Sequence, residues 1–218
     1  PVIKSSLSKE LLKNFEKILE DNPEYELRYM DDMQCAKFLN QHFSDKACWC
    51  FHVIRPGAFK ADFVRYCLLF YHGGVYSDLK QVLKKKLREL INHRSLVLTK
   101  DIQNDDIQIS FMASRPGHIL FKKAYEAVIK NVETKNYGEN PLHLTGPRLF
   151  GDVFKQIKWP ENSYSMDYIQ DGHWQIVDRK GDVILLTKGI NEPHVVSGSY
   201  GTMWNNRTAI LDVPYTSN

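Results

Sequence analysis

From residue 58 to residue 72 the chain carries neither proline nor glycine, and Phe59, Phe63, Tyr66, Cys67 and Phe70 recur at spacings of three and four. That period predicts a helix with one buried stripe. Gly73-Gly74 then ends it by supplying positive φ at the C-cap, and residues 75–80 follow with the alternation of a short strand. Upstream, a helix is predicted over 8–19, with Ser8 as N-cap and Leu11, Leu12, Phe15, Ile18 and Leu19 facing inward. Asn22-Pro23 stops it. Residues 26–30 alternate as a strand, and 33–43 reads as a short helix with Cys35, Phe38 and Leu39 inward.

Downstream, 87–91 suits a helical turn, 95–99 and 107–113 suit strands flanking a polar loop, and 118–132 suits an amphipathic helix. Residues 137–147 have loop composition and 149–157 looks helical. Asp178 to Gly181 with the apolar run at 183–186 suggests a late hairpin, and the glycines at 198 and 201 near Trp204 suggest a closing loop. Strands alternating with helices predict an α/β fold with an open, mostly parallel sheet flanked by helices on both faces. Ligands of such sheets bind beyond the carboxyl ends of the strands, where Asp78 and Lys80 fall.

Composition narrows this further. A chain of 218 residues with 43% hydrophobic content can bury a substantial core, and no linker or repeat divides it, so 1–218 reads as one domain. A start at Pro-Val-Ile is compatible with a piece of a longer protein. No stretch approaches the roughly 20 apolar residues of a membrane span, which points to a soluble, cytoplasmic protein. The net charge of +3 is too slight to imply nucleic acid; Lys84-Lys85-Lys86 with Arg88 suits a solvated face or, alternatively, contact with phosphates or an anionic membrane. Cys35, Cys48, Cys50 and Cys67 have neither zinc-ribbon spacing nor disulfide-scaffold density, so reduced thiols are expected.

The candidate chemistry lies on the helix over 58–72 and the strand after it. Asp62, Arg65 and Tyr66 stand at i, i+3 and i+4 on the predicted helix, so one face presents an acceptor, a forked cationic donor and a phenol. On the strand, period two puts Tyr76, Asp78 and Lys80 on one face and Val75, Ser77 and Leu79 on the other. Asp62 and Arg65 alone equally suit a surface ion pair, and Tyr76 a half-buried strand aromatic.

Ala-Asp-(two residues)-Arg-Tyr, an apolar half-helix, Gly-Gly-Val-Tyr and an aspartate three positions after the valine together resemble the sugar-transferase family with the DXD motif. That family includes fungal initiating mannosyltransferases, bacterial capsule transferases and, more distantly, clostridial toxin glucosyltransferases; compact members occur in large DNA viruses. Asn22-Pro23-Glu24-Tyr25-Glu26-Leu27 with Asp31-Asp32, then Phe111 to His118, and then Thr145-Gly146-Pro147 extend the likeness over roughly residues 20–150.

The resemblance implies a GT-A-like fold and transfer of a sugar from a UDP- or GDP-sugar, UDP-glucose first, to a glycan or glycoprotein acceptor, with Mn2+ or Mg2+ assisting. It implies that Asp78, Lys80 and Arg65 act on the leaving diphosphate and that Asp62, Arg65, Tyr76, Ser77, Asp78 and Lys80 bind the donor. Ser199 and Trp204 are further candidates for phosphate contact, or simply for loop packing. His143, Thr145 and Gly146 fall on the acceptor side, and Asp78, with His194 as a lone further candidate, on the metal. Lys80 departs from the motif, standing where its second aspartate would be. A lysine there supplies positive charge to the diphosphate directly, leaving Asp78 alone to anchor the cation.

The family is generally retaining, and no second carboxylate stands at a fixed spacing for a covalent nucleophile, which favours front-face transfer. A noncatalytic sugar-nucleotide or glycan-binding module is the main alternative. A phosphatase or nucleotidyltransferase is disfavoured, because the chain lacks a phosphate-binding Gly-Lys-Ser/Thr loop and a dinucleotide fingerprint.

Overall fold

The computed structural model describes residues 9–79, 81–101, 106–157, 163–171, 173–178, 180–187 and 200–216. The helices are α1 (Lys9–Asp21), α2 (Asp32–His42), α3 (Asp45–Val53), α4 (Gly57–Tyr71), α5 (Leu87–Ile91), α6 (Ile119–Glu133), α7 (Pro147–Lys155) and α8 (Tyr200–Asn205). The strands are β1 (Gly74–Ser77), β2 (Gln81–Leu83), β3 (Leu96–Asp101), β4 (Asp106–Ser114), β5 (Ser163–Asp171), β6 (His173–Val177) and β7 (Val183–Thr187).

Local chemistry explains most boundaries. Asp31 and Gln34 close a capping box on α2, and the Ser44 hydroxyl caps α3. Gly73 and Gly74 both take positive φ where α4 hands over to β1. The late hairpin forms as expected: Asp178 donates its N–H to the Asp182 carbonyl across the turn, and Lys85 pairs with both aspartates. That lysine of the basic run is therefore engaged in the fold rather than simply solvated.

The strands form one sheet in the order β1-β4-β3-β5-β6-β7-β2. The α/β class holds, but the sheet is not mostly parallel: β3 and β5 pair in parallel and every other recorded pairing is antiparallel. The cause is connectivity, since β3–β4, β5–β6 and β6–β7 are joined by short links that permit only reversal.

Residues 26–30 form no strand either. A strand exists through its ladder, and this segment pairs with none; Leu27, Arg28 and Met30 instead line, together with Val75, Tyr76 and Ser77 of β1, a cavity of about 830 Å3. The tail around Trp204 is the helix α8 and packs against the core. The pattern also missed α3, β2 and β5, the first because its all-round apolar composition has little helical periodicity.

Helices cover both faces, as expected. On one face α4, α6 and α7 pack over β3 and β4 through Phe63, Tyr66, Leu96, Leu98, Ile109, Phe121 and Phe150. On the other, Leu87 and Leu90 of α5 join Val97, Phe111, Ala113, Ile176, Ile184 and Leu185. Strand alternation sends neighbouring residues such as Val97 and Leu98 to opposite cores.

Two irregularities of the sheet set the surroundings of Asp78 and Arg65. β1 and β2 are opposite edges of the sheet, yet only Asp78, Leu79 and Lys80 separate them in sequence. The sheet must curl until those edges approach, and Asp78 sits at the seam. Its N–H donates to the Ser110 carbonyl at 2.8 Å, and its carbonyl accepts from Gln81 at 3.0 Å. The second irregularity is the register shift between Val97 and Thr99, which pair with Ala113 and Gln108 and leave residues 109–112 of β4 outside the β3 ladder register. Such bulges re-aim backbone groups beside functional sites.

Candidate functional site

The guanidinium of Arg65 is the centre of the cluster. It is only 6% exposed. Its Nε donates to the Ala61 carbonyl at 3.2 Å and its Nη1 to the Ile109 carbonyl, in the bulged part of β4, at 2.8 Å. Nη2 lies 3.0 Å from Asp62 Oδ1, and Nη1 lies 3.4 Å from Asp78 Oδ1. The Tyr76 ring packs against the guanidinium, 4.4 Å from centroid to Cζ. Burial alone opposes its charge, but Tyr76, Asp62 and Asp78 outweigh that and hold Arg65 firmly protonated. Helix α4 and strand β1 thus bring Asp62, Arg65, Tyr76 and Asp78 together, as the sequence pattern proposed.

The two carboxylates have different surroundings. Asp62 is enclosed: besides Arg65, its Oδ2 accepts from the Thr145 hydroxyl at 2.9 Å. Burial raises its carboxyl to about 6, against the pull of Arg65 and Thr145. Asp78 is open, with 40% of its side chain exposed. Its Oδ1 accepts from the Tyr76 hydroxyl at 2.8 Å, and among the described residues nothing donates to Oδ2. Burial pushes the Tyr76 phenol well above its ordinary pKa, so it remains a donor.

Tyr66, fully buried, points away from the opening. Its hydroxyl donates to the Thr145 carbonyl at 2.9 Å and its ring stacks on Phe150 at 5.1 Å. Gly146 lies beside Asp62, where a Cβ would come within 3.4 Å of Oδ2. His143 is turned aside: its Nδ1 accepts from the Glu139 N–H, so Nε2 carries the hydrogen and donates to Asp152 Oδ2 at 3.1 Å. Asp152 also lies near Arg148, which reaches buried Asp106. Ser77 is exposed on the edge strand. Trp204 donates its indole N–H to the Tyr137 carbonyl at 2.7 Å and is covered by Arg207, so that group is engaged in the fold. Lys80, His194 and Ser199 lie outside the described residues.

Sequence reasoning missed the Ile109 carbonyl and the bond from Thr145 to Asp62. The first depends on a register shift with no local signal. The second joins residues far apart in sequence.

As a cation site the cluster is sparse. Among the described residues no three His, Cys, Asp or Glu side chains converge. Asp78 offers one free hard oxygen, which suits a cation held mainly by substrate phosphates and water and does not suit an all-protein cage.

The segment that carries Asp62, Arg65 and Asp78 lies within a stretch that resembles known proteins. Residues 8–97 match the family model described as the glycosyltransferase sugar-binding region containing the DXD motif. Over that region the chain is similar to the DXD-motif sugar transferases. It is 28% identical over 150 residues to an uncharacterised glycosyltransferase of Acanthamoeba polyphaga mimivirus, covering 67% of this chain and 58% of that protein. It is 25% identical over 184 residues to the initiation-specific alpha-1,6-mannosyltransferase of Candida albicans, covering 68% and 48%. The chain therefore spans about half the length of these relatives. Among solved structures the PaToxG glycosyltransferase superposes with a TM-score of 0.53 at 16% identity, over 70% of this chain and 64% of that one, a likeness of fold. Among the described residues no helix is long and apolar enough to cross a membrane.

Proposed function

We propose that this chain carries the donor-handling part of a glycosyltransferase that moves a sugar from a nucleoside-diphosphate donor to a hydroxyl acceptor on a glycan or glycoprotein. The observation that supports this best is the pairing of an enclosed carboxylate with an open one across a single buried guanidinium. Asp62, with two of about four lone-pair positions occupied, accepts from donor sugar hydroxyls. Asp78 faces the diphosphate. Arg65, with most of its N–H groups engaged, fixes the distance between the two carboxylates and has little left to offer a ligand.

Asp78 would hold Mn2+ or Mg2+ together with the diphosphate, and the cation would supply positive charge to the leaving group. Lys80, two positions on in sequence, adds charge of the same sign. Tyr76 orients Asp78 by donating to its other oxygen. In the transfer the bond from the anomeric carbon to the phosphate oxygen breaks, the acceptor oxygen bonds to that carbon, and the acceptor proton passes to the departing phosphate. The absence of an evident carboxylate nucleophile favours front-face transfer with retention, which NMR of the product linkage tests; an inverted anomer rules it out.

UDP-glucose is the first donor to try, then GDP-sugars. The decisive measurement is donor hydrolysis and binding across UDP- and GDP-sugars, with and without Mn2+, for wild type and Asp78→Ala. Metal-dependent turnover lost on substitution supports the transferase. Lys80 in place of a second motif aspartate favours a second reading, a noncatalytic sugar-nucleotide or glycan-binding module, which binds donor without turning it over.

A further inference from the structure

The segment that precedes α7 is held by side chains of both α6 and α4. Its successive carbonyls are each occupied: Asn131 of α6 donates to those of His143 and Leu144 at 3.2 Å, and Tyr66 donates to that of Thr145. Thr145 is fully buried. Its hydroxyl is free to turn, and it donates to Asp62 Oδ2 at 2.9 Å. Tyr66 and Asp62 are one helical turn apart on α4, so Thr145 is gripped at its carbonyl by one and grips the other with its hydroxyl. Gly146 permits this approach: a Cβ there would stand 3.1 Å from the Leu142 carbonyl and 3.4 Å from Asp62 Oδ2.

We propose that Thr145 is a positioning residue for donor binding, its hydroxyl fixing the Asp62 carboxylate in the rotamer that turns its remaining lone pairs toward the donor sugar. This rests on the donor-handling reading of Asp62. Arg65 restrains the torsion about the Cβ–Cγ bond through Oδ1 alone, and a single contact leaves both oxygens room to rock together about that bond. Thr145 supplies the second point. A carboxylate held at both oxygens is preorganised, so the donor hydroxyls meet an acceptor array that needs no rearrangement. The same bond ties the 141–146 segment, which carries His143, to the donor carboxylate.

The test compares Thr145→Val, which keeps the shape and removes the hydroxyl, with Thr145→Ser, which keeps the hydroxyl. Thr145→Ala serves if valine disturbs folding. In 13C NMR of the free protein, with the Asp62 carboxyl signal assigned by Asp62→Asn, the midpoint of titration rises in the valine variant and returns with serine. In donor hydrolysis with Mn2+ and UDP-glucose or GDP-mannose, Thr145→Val raises KM about tenfold with kcat changed less, the size expected for one hydrogen bond to a charged group. Thr145→Ser stays close to wild type, and Thr145→Val adds nothing in an Asp62→Asn background. Equal behaviour of valine and serine variants in the titration, or an unmoved midpoint in both, overturns the proposal. Absence of turnover in wild type with the titration behaving as stated counts against the transferase reading and leaves the Thr145–Asp62 link standing.

Discussion

Tyr76 donates its phenolic hydrogen to Asp78 Oδ1 at 2.8 Å while its ring lies against Arg65. One side chain on β1 therefore serves both charged partners, and the two services separate by substitution. Tyr76→Phe keeps the ring and loses the hydrogen bond. It is expected to cost about 1 kcal/mol of stability and to lower kcat roughly threefold to tenfold. Tyr76→Leu removes the ring contact as well and is expected to be worse in both. Chemical denaturation and donor hydrolysis on the same preparations check the order.

Loss of Arg65 is expected to be costly to the fold. Arg65→Met leaves the Asp62 carboxylate enclosed without its cation and the Ile109 carbonyl without its donor. Removing one member of a buried ion pair typically costs about 3–5 kcal/mol. Arg65→Lys recovers little, because an ammonium cannot span Ala61, Ile109, Asp62 and Asp78 as the planar fork does. Adding Asp62→Asn to Arg65→Met is expected to restore part of the loss, read from urea midpoints.

The pH dependence of Asp62 runs in opposite directions for stability and for binding. Its folded-state carboxyl sits at about 6, raised by burial from an unfolded value near 3.8. Between those limits the folded chain holds the proton that the unfolded chain has released, so this group's contribution to stability declines as pH rises from about 4 to 6. The ionised form accepts sugar hydroxyls, so donor affinity rises over the same window and levels above it. Donor KM from pH 5 to 8 is expected to show this in wild type and to be flat and higher in Asp62→Asn. A wild-type slope that persists in Asp62→Asn assigns the titration to another group.

The paired glycines separate by what surrounds them. At Gly73, with φ of +65°, a Cβ would lie 2.6 Å from Pro116 and 2.7 Å from the Ser114 carbonyl. At Gly74, with φ of +85°, nothing lies within 4 Å. Gly74→Ala is expected to cost about 1–2 kcal/mol for the backbone conformation alone. Gly73→Ala is expected to cost more and to disturb the start of β1. Thermal unfolding of the two variants compares them directly.

Much of this site was legible in the chain itself. The spacing of Asp62, Arg65 and Tyr66 on a helix and of Tyr76 and Asp78 on a strand needs only the 3.6 and 2.0 periods, and Gly73-Gly74 marks the turn between them. Those are local properties, decided within a few residues, and the helices at α1, α2, α4 and α6 followed for the same reason. Pairing is different. The antiparallel sheet, the unpaired 26–30 segment and the bulge that bares Ile109 depend on which strand edges meet, and a strand's own pattern does not name its neighbour. Tyr66 shows the limit: its helical position put it beside Asp62, but the contact of both with Thr145 arises only when α7 packs on α4 and β4. The sequence by itself determined which side chains share an element and a face. Tertiary structure decided which of those side chains remain open to a ligand and which are bound into the protein, because burial and long-range hydrogen bonds exist only once distant segments have met.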